Sequence, residues 1–150
     1  MSKIVFITGA SSGIGQALAA RFYAAGYALA LVARRTAEVH KWIEEQKLDP
    51  KRCRVYSADV ADTASIVAAC QACMAGMGVP DVVIACAGIS VGMDTSELDD
   101  IAVMAQTFAI NNTGLAATFH PFIKPMQTRS SGCQRALLAM TVHRGRTCNG

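Results

Sequence analysis

Residues 4–15 read IVFITGASSGIG, an apolar run that opens directly into a glycine-rich turn. The run from Ile4 to Ile7 is β-branched and aromatic without polar alternation, which predicts a strand covered on both faces. The glycines from Gly9 to Gly15 predict a sharp turn that leads into a helix. A strand, a glycine turn and a helix in this order indicate the first unit of an α/β fold.

The same alternation continues along the chain. Further apolar runs predict strands at Ala28 to Ala33, Arg54 to Ala58 and Asp81 to Cys86. The first helix is predicted from the apolar stripe Ile14, Leu18, Phe22 and Ala25, which Gly26 ends. The second is predicted from an N-cap at Thr36 followed by Val39, Trp42 and Ile43, and the third from a start at Asp62 or Thr63 with Ile66, Ala69, Cys70 and Cys73 inward. A long helical stretch is predicted between about Leu98 and about Met126, with a frayed or bent end at Pro121 and Pro125. This order predicts a Rossmann-type doubly wound parallel sheet that ends after about the fourth or fifth strand.

Length and composition exclude several classes of protein. The chain has 150 residues, of which 52% are hydrophobic and 17% charged, so one domain with a packed core is expected and a disordered chain is not. The net charge of +3 comes largely from a basic C-terminal stretch, and we expect no nucleic-acid partner. Glycines and serines interrupt the N-terminal apolar run, and no run reaches transmembrane length, so neither a signal peptide nor a membrane association is expected.

The cysteine pattern favours buried thiols over a metal site. Cys70 and Cys73 form a C-x-x-C pair, but a zinc site would need a second pair or histidines at ligand spacing. The histidines His40, His120 and His143 are scattered. We therefore expect no metal, no disulfide framework and a cytoplasmic location.

The glycine turn has the properties of a phosphate-binding loop. Gly9 permits the turn out of the strand, Gly13 leaves the backbone open to a pyrophosphate, and Gly15 permits close packing of the helix on the sheet. The helix N-terminus then presents N–H groups and the positive end of its dipole to the phosphates.

Thr8-Gly9-x-x-x-Gly13-Ile14-Gly15 resembles the fingerprint of the short-chain dehydrogenase/reductase family, and other family motifs follow in order over residues 3–132. Asp59-Val60 resembles the family segment beside the adenine. Cys86-Ala87-Gly88 stands where the family usually has Asn-Ala-Gly, and Asn111 to Gly114 resembles its Asn-x-x-Gly. The resemblance implies a cofactor site formed by Gly9, Ser11, Ser12, Gly13, Ile14, Gly15, Asp59, Val60, Ala87 and Gly88. The cysteine at position 86 removes an amide that braces the sheet in the family.

The end of the second predicted strand indicates which nicotinamide cofactor is preferred. Proteins that choose NAD usually place a carboxylate there for the ribose hydroxyls. Here the chain has Arg34 and Arg35, and a guanidinium suits a 2′-phosphate. We therefore predict NADP(H), with Arg34 as the stronger candidate; the alternative is two solvated arginines at a helix start.

The resemblance implies a catalytic Ser and a Tyr-x-x-x-Lys pair, but only its Asn has a candidate, Asn111. None of the three tyrosines, Tyr23, Tyr27 and Tyr56, is followed four residues later by lysine. The family's Ser position falls near Leu138 and Ala139, with Thr141 the nearest hydroxyl. We therefore expect these 150 residues to be catalytically incomplete.

The last residues, 133–150, lose the family pattern and form a basic tail of doubtful homology after a domain of residues 1–132. Either a change of reading frame produced this tail, or Ala136 to Val142 is a true fifth strand. By family, the activity expected is NADP-dependent carbonyl reduction or alcohol oxidation on an unknown small-molecule substrate. A non-catalytic NADP(H)-sensing module and a non-functional fragment are the alternatives, and a homo-oligomer with an incomplete interface is possible.

Overall fold

The computed structural model describes residues 2–94 and 96–129, together with the backbone of residues 136–137. They form one parallel sheet with the strand order β3-β2-β1-β4-β5. The strands are β1 (Ile4–Thr8), β2 (Ala28–Ala33), β3 (Cys53–Ser57), β4 (Val82–Ala85) and β5 (Ala136–Leu137). The predicted α/β Rossmann-type sheet is confirmed, and the ends of the first four strands differ from prediction by one residue at most.

The two residues of β5 bear on the alternatives left open for the tail. The backbone of Ala136 pairs in parallel with Val83, and that of Leu137 with Ile84. A strand therefore begins where the apolar run allows one. The rest of the stretch to Val142, and Thr141 with it, lies outside the described residues, so the divergent origin of residues 133–150 stays a prediction.

Among the described residues, five α-helices connect or follow the strands. They are α1 (Gly13–Ala24), α2 (Thr36–Glu45), α3 (Thr63–Met77), α4 (Asp100–Phe108) and α5 (Gly114–Thr128), and a π-helical segment (Ala109–Thr113) joins the last two. At α3 the predicted start is confirmed: the Asp62 carboxylate accepts hydrogen bonds from Ala64 N at 2.9 Å and Ser65 N at 3.3 Å.

One predicted helix start was wrong, and another lies two residues from its predicted position. Thr36 is the first residue of α2 rather than its N-cap; Arg35 takes the cap position, since the chain leaves β2 through only two residues. The long helical region begins at Asp100, not Leu98, whose apolar side chain is exposed in the preceding turn. Apolarity alone misplaced this start.

The prolines do not end the last helix. Pro121 and Pro125 lie inside α5, which continues to Thr128. Proline in a helix interior removes a backbone hydrogen bond. Here Phe122 and Met126 are buried on the sheet, and this packing holds the helix through both prolines.

The buried stripe of α1 also differs from prediction. Gly15 and Ala19 are its buried residues, while Leu18 and Phe22 are only partly buried against the core. Ala25 lies beyond the helix and is exposed. Small residues at the centre of the contact allow α1 to approach the sheet closely, which apolar periodicity alone does not reveal.

The core has one layer on each face of the sheet. Successive residues of β1 point to opposite faces, so Val5 and Ile7 pack in one cluster and Phe6 in the other. The first cluster contains Ala19 of α1 and Val39, Trp42 and Ile43 of α2. The second contains Ile66, Ala69, Cys70 and Cys73 of α3 and Ala117, Phe122 and Met126 of α5. The rings of Phe6 and Phe122 meet edge to face, with centroids 4.9 Å apart.

A polar network lies at the amino ends of the central strands. Arg129, just past α5, donates from Nη2 to Asp81 Oδ1 at 2.6 Å and from Nη1 to the Val79 carbonyl at 2.7 Å. The other oxygen of Asp81 accepts from Ile4 N at 2.7 Å. The end of α5 is thereby attached to the beginnings of β4 and β1. The site forms at the other end of the strands, where their carboxyl ends lie.

Candidate functional site

The carboxyl ends of the first four strands meet around one cavity of about 500 Å³. A volume of this size suits a small-molecule or cofactor ligand. Every residue that sequence analysis assigned to cofactor binding lines it: Gly9, Ser11, Ser12, Gly13, Ile14, Gly15, Arg34, Arg35, Asp59, Val60, Ala87 and Gly88. Sequence reasoning missed Val32, Ala33, Ala58, Cys86, Ile89, Ser90 and Ile110, which also line the cavity. Most of these residues flank the ends of predicted strands, so extending the predicted site to every strand end would have included them.

The glycine turn forms one wall of the cavity and is tightly packed. Gly9 has φ +69°, and a Cβ there would lie 2.8 Å from the Ala87 Cα. A Cβ on Gly15 would collide with the Gly9 carbonyl oxygen. Gly13 instead has open space around the position of a Cβ. The loop is thus held by close backbone contacts at two glycines and is open at the third.

The start of α1 faces this opening. Ser12 is the N-cap, yet its side chain accepts no hydrogen bond from the first turn of the helix. The first N–H groups of a helix have no partner within it. Gly13, Ile14 and Gly15 line the cavity, so these donors and the positive end of the dipole favour an anion at this wall.

One contact inside the loop is additional to the predicted ones. Gln16 donates from Nε2 to the Ser11 carbonyl at 2.9 Å, across the turn. The bond joins the first turn of α1 to the glycine loop.

Thr8 braces the loop against β4. Its buried Oγ1 accepts hydrogen bonds from Cys86 N at 3.1 Å and Ala87 N at 3.2 Å. Both donors are backbone groups, so these bonds hold the end of β4 to β1 without using the side chain at position 86. Burial raises the pKa of the Cys86 thiol, so the thiol is neutral at physiological pH.

The two arginines after β2 have different surroundings. Arg34 Nη1 lies 4.0 Å from Asp59 Oδ2, across the end of β3. Arg35 Nε lies 3.1 Å from Glu38 Oε1, one turn along α2. The Asp59 side chain is further fixed because its Oδ1 accepts from Ala61 N at 2.9 Å. This wall of the cavity therefore carries two guanidinium groups and one carboxylate.

Asn111 lies in the π-helical segment and not among the described residues that line the cavity. Its Nδ2 donates to the Ile89 carbonyl at 2.7 Å, and its Oδ1 accepts from Ile89 N at 2.9 Å. A Cβ on Gly88 would lie 3.2 Å from the same Oδ1. The residue predicted to be catalytic thus holds the loop after β4 in place.

The tyrosines are used in packing. Tyr23 and Tyr27 pack against the first core cluster and Tyr56 against the second, and none of them is among the described residues that line the cavity. The Arg52 guanidinium stacks 3.9 Å over the Tyr23 ring. Within residues 2–94 and 96–129, no three His, Cys, Asp or Glu side chains are grouped as metal ligands would be.

Comparison with known proteins agrees with this geometry. The family model for short chain dehydrogenase matches residues 3–133. The chain belongs to the short-chain dehydrogenase family. Members of this family of oxidoreductases bind a nicotinamide cofactor.

Individual members of the short-chain dehydrogenase family are similar over most of this chain. It is 32% identical over 130 residues to the 2,3-dihydro-2,3-dihydroxybenzoate dehydrogenase of Bacillus subtilis, a match that covers 87% of this chain and 49% of that protein. It is 35% identical over 134 residues to a dehydrogenase/reductase SDR family protein 7-like of Drosophila melanogaster, covering 87% and 41%. The chain spans about half the length of the curated relatives it matches.

Solved short-chain dehydrogenase structures share the fold. A short-chain dehydrogenase from Streptomyces avermitilis superimposes with a TM-score of 0.80 at 28% identity, over 91% of this chain and 48% of that one. An alcohol dehydrogenase from the archaeon Thermococcus sibiricus, complexed with 5-hydroxy-NADP, gives 0.77 at 28% identity, over 91% and 57%. In the part of this chain that the structure describes, no helix is long and apolar enough to cross a membrane.

Proposed function

We propose that this chain is the NADP(H)-binding portion of a short-chain dehydrogenase. The observation that carries the proposal is the position of Arg34 on the cavity wall at the end of β2, where a protein specific for NAD would have a carboxylate. A guanidinium binds a phosphate through charge-assisted hydrogen bonds, and the 2′-phosphate is the group that distinguishes the two cofactors.

Each part of the cavity wall would contact a different part of the dinucleotide. Gly13, Ile14 and Gly15 would bind the pyrophosphate through the uncapped start of α1, with Gly9 fixing the turn and Ser11 and Ser12 adding hydroxyl contacts. Asp59 and Val60 would flank the adenine, and Ala87 and Gly88 would border the ribose. Arg34 would bind the 2′-phosphate, with Arg35 beside it.

Within the whole protein, the reaction would be carbonyl reduction or alcohol oxidation on a small-molecule substrate. The bound nicotinamide supplies or accepts the hydride. The residues of this chain bind and orient it, and Asn111 supports this by holding the loop at Ile89. Because the 150 residues contain no Tyr-x-x-x-Lys, we expect no turnover from them alone. We place this activity in the cytoplasm, since the described cysteines are reduced thiols.

A non-catalytic role is the second candidate, and the same missing Tyr-x-x-x-Lys favours it. Such a module would bind NADP(H) and act through a partner. Both candidates require the cofactor, so cofactor binding is the first property to measure.

The test is thermal unfolding of the purified chain without cofactor, with NADPH and with NADH. A ligand that binds only the folded state raises the unfolding midpoint. We expect NADPH to raise it more than NADH does. Arg34→Gln should remove the difference by weakening NADPH binding about tenfold or more.

Arg21→Gln is the matched control, since Arg21 lies in the last turn of α1 and is not among the described lining residues. It changes the net charge equally and should leave the difference intact. An unfolding transition that responds to neither cofactor would contradict the proposal.

A further inference from the structure

The two arginines after β2 each face a carboxylate, and the two pairs are not equivalent. Arg35 and Glu38 lie 3.1 Å apart along the exposed side of α2. Arg34 and Asp59 lie 4.0 Å apart, and both line the cavity. Glu38 is not among the described residues that line it. The negative charge of Asp59 is therefore the one that a ligand of the cavity meets.

We propose that Asp59 is a specificity-determining residue, whose charge limits the preference of the site for NADP(H) over NAD(H). This inference rests on the proposed function of the cavity. The charge of Asp59 would then oppose the binding of the 2′-phosphate, and this effect is separate from the position of Asp59 beside the adenine.

The first step of the argument is that Arg34 can exchange partners. Its side chain is 64% exposed and that of Asp59 is 42% exposed, and a solvated ion pair at 4.0 Å is weak. A phosphate dianion brings more charge and more acceptor oxygens to the same guanidinium. The phosphate therefore competes successfully for Arg34.

The second step is that Asp59 cannot follow or retreat. Its Oδ1 accepts from Ala61 N at 2.9 Å in a tight turn, and its own N–H donates to Ser65 Oγ at 3.1 Å. The carboxylate stays beside Arg34 after the phosphate arrives. Two negative groups then share one guanidinium, and their repulsion opposes the binding of NADP(H).

The third step is that NAD(H) avoids this repulsion. It has a neutral 2′-hydroxyl where NADP(H) has the phosphate, and a carboxylate accepts a hydrogen bond from a hydroxyl. The charge of Asp59 thus acts against one cofactor and not against the other. The charge of Asp59 therefore lowers the ratio of NADP(H) affinity to NAD(H) affinity, which Arg34 raises.

The experiment measures the dissociation constants of NADP⁺ and NAD⁺ by calorimetry for the full chain and for Asp59→Asn. The asparagine keeps the acceptor for Ala61 N but loses the charge. We expect NADP⁺ to bind about threefold more tightly at low salt, with NAD⁺ unchanged or weaker, and the gain to shrink at high salt. Asp59→Ser, which also retains an acceptor for the turn, should behave in the same way.

Glu45→Gln is the matched control, because it removes the carboxylate of the exposed Lys41–Glu45 pair with the same change in net charge, and neither member of that pair is among the described residues that line the cavity. It should leave the ratio of the two constants unchanged. An equal effect of Glu45→Gln and Asp59→Asn, or an unchanged ratio in both Asp59 variants, would overturn the inference while leaving the proposed function in place. Failure of the unaltered chain to bind either cofactor would overturn both.

Discussion

Asn111 and Ile89 exchange two hydrogen bonds, side-chain amide to backbone, at 2.7 Å and 2.9 Å. The pair joins the π-helical segment between α4 and α5 to the loop after β4. An amide has one donor group and one acceptor at the spacing of a peptide unit, so it satisfies Ile89 as a neighbouring strand would. Because that loop lines the cavity, Asn111 sets the position of one of its walls.

Replacing Asn111 should therefore affect both stability and the loop. Asn111→Leu leaves the N–H and carbonyl of Ile89 unpaired in a partly buried place, which we expect to lower the free energy of unfolding by about 1–3 kcal/mol. Asn111→Asp keeps the acceptor and loses the donor, and should fall between. Urea unfolding measures the free energy of unfolding of both variants. Equal stability of the unaltered chain and the two variants would refute the role of Asn111 in holding the loop.

Thr8 should stabilise the protein by holding the end of β4 to β1. Thr8→Val keeps the shape of the side chain but leaves Cys86 N and Ala87 N without their acceptor. We expect a loss of about 1–3 kcal/mol in the free energy of unfolding. Thr8→Ser retains the hydroxyl and should lose much less, and a serine variant as unstable as the valine variant would contradict the hydrogen-bond explanation.

Gly15 and Gly13 should respond differently to a methyl group. Gly15→Ala places a Cβ against the Gly9 carbonyl oxygen, so either α1 or the loop must move, at a cost of about 1–3 kcal/mol. The Cβ of Gly13→Ala meets no atom within 4 Å, so the only cost is that of an alanine at a φ of +53°, about 1 kcal/mol. Thermal unfolding compares the two variants, and a larger loss at Gly13 would contradict this packing.

The thiols of α3 should make the protein sensitive to alkali. Burial raises the pKa of Cys70 to about 12 and that of Cys73 to about 11, from an ordinary value of 9.0. Above pH 9 the unfolded chain releases these protons while the folded chain keeps them. The free energy of unfolding therefore falls as the pH rises from about 9 to about 12.

Denaturant unfolding as a function of pH tests this expectation. The double variant Cys70→Ala and Cys73→Ala lacks both protons and should show a flatter decline over the same range, from a lower starting stability. An unchanged slope in the double variant would show that other groups cause the alkaline loss.

The sequence predicted the strands and the glycine turn because their signals are local. The run before Thr8 is continuously apolar, and Gly9, Gly13 and Gly15 mark the turn within a few residues of it. Every residue predicted for cofactor binding lines the cavity, since the carboxyl ends of parallel strands meet at one edge.

The remaining features depend on contacts between distant segments. The partner of Asn111 lies 22 residues away, and that of Arg129 lies 48 residues away at Asp81. Neither pairing leaves a periodic pattern. The passage of α5 through two prolines also depends on the burial of Phe122, which propensity alone does not predict.

The central position of β1 has a consequence for the order of folding. On one side β1 pairs with β2, the next strand along the chain, whereas on the other it pairs with β4, and Thr8 bonds to Cys86 across 78 residues. Short chain closures form early and long ones late. We therefore expect the unit of β1, β2 and β3 to assemble first, with one edge of β1 exposed until β4 pairs with it. The two walls of the cavity would then form in separate kinetic steps, and a ligand that contacts both walls would bind only after the second.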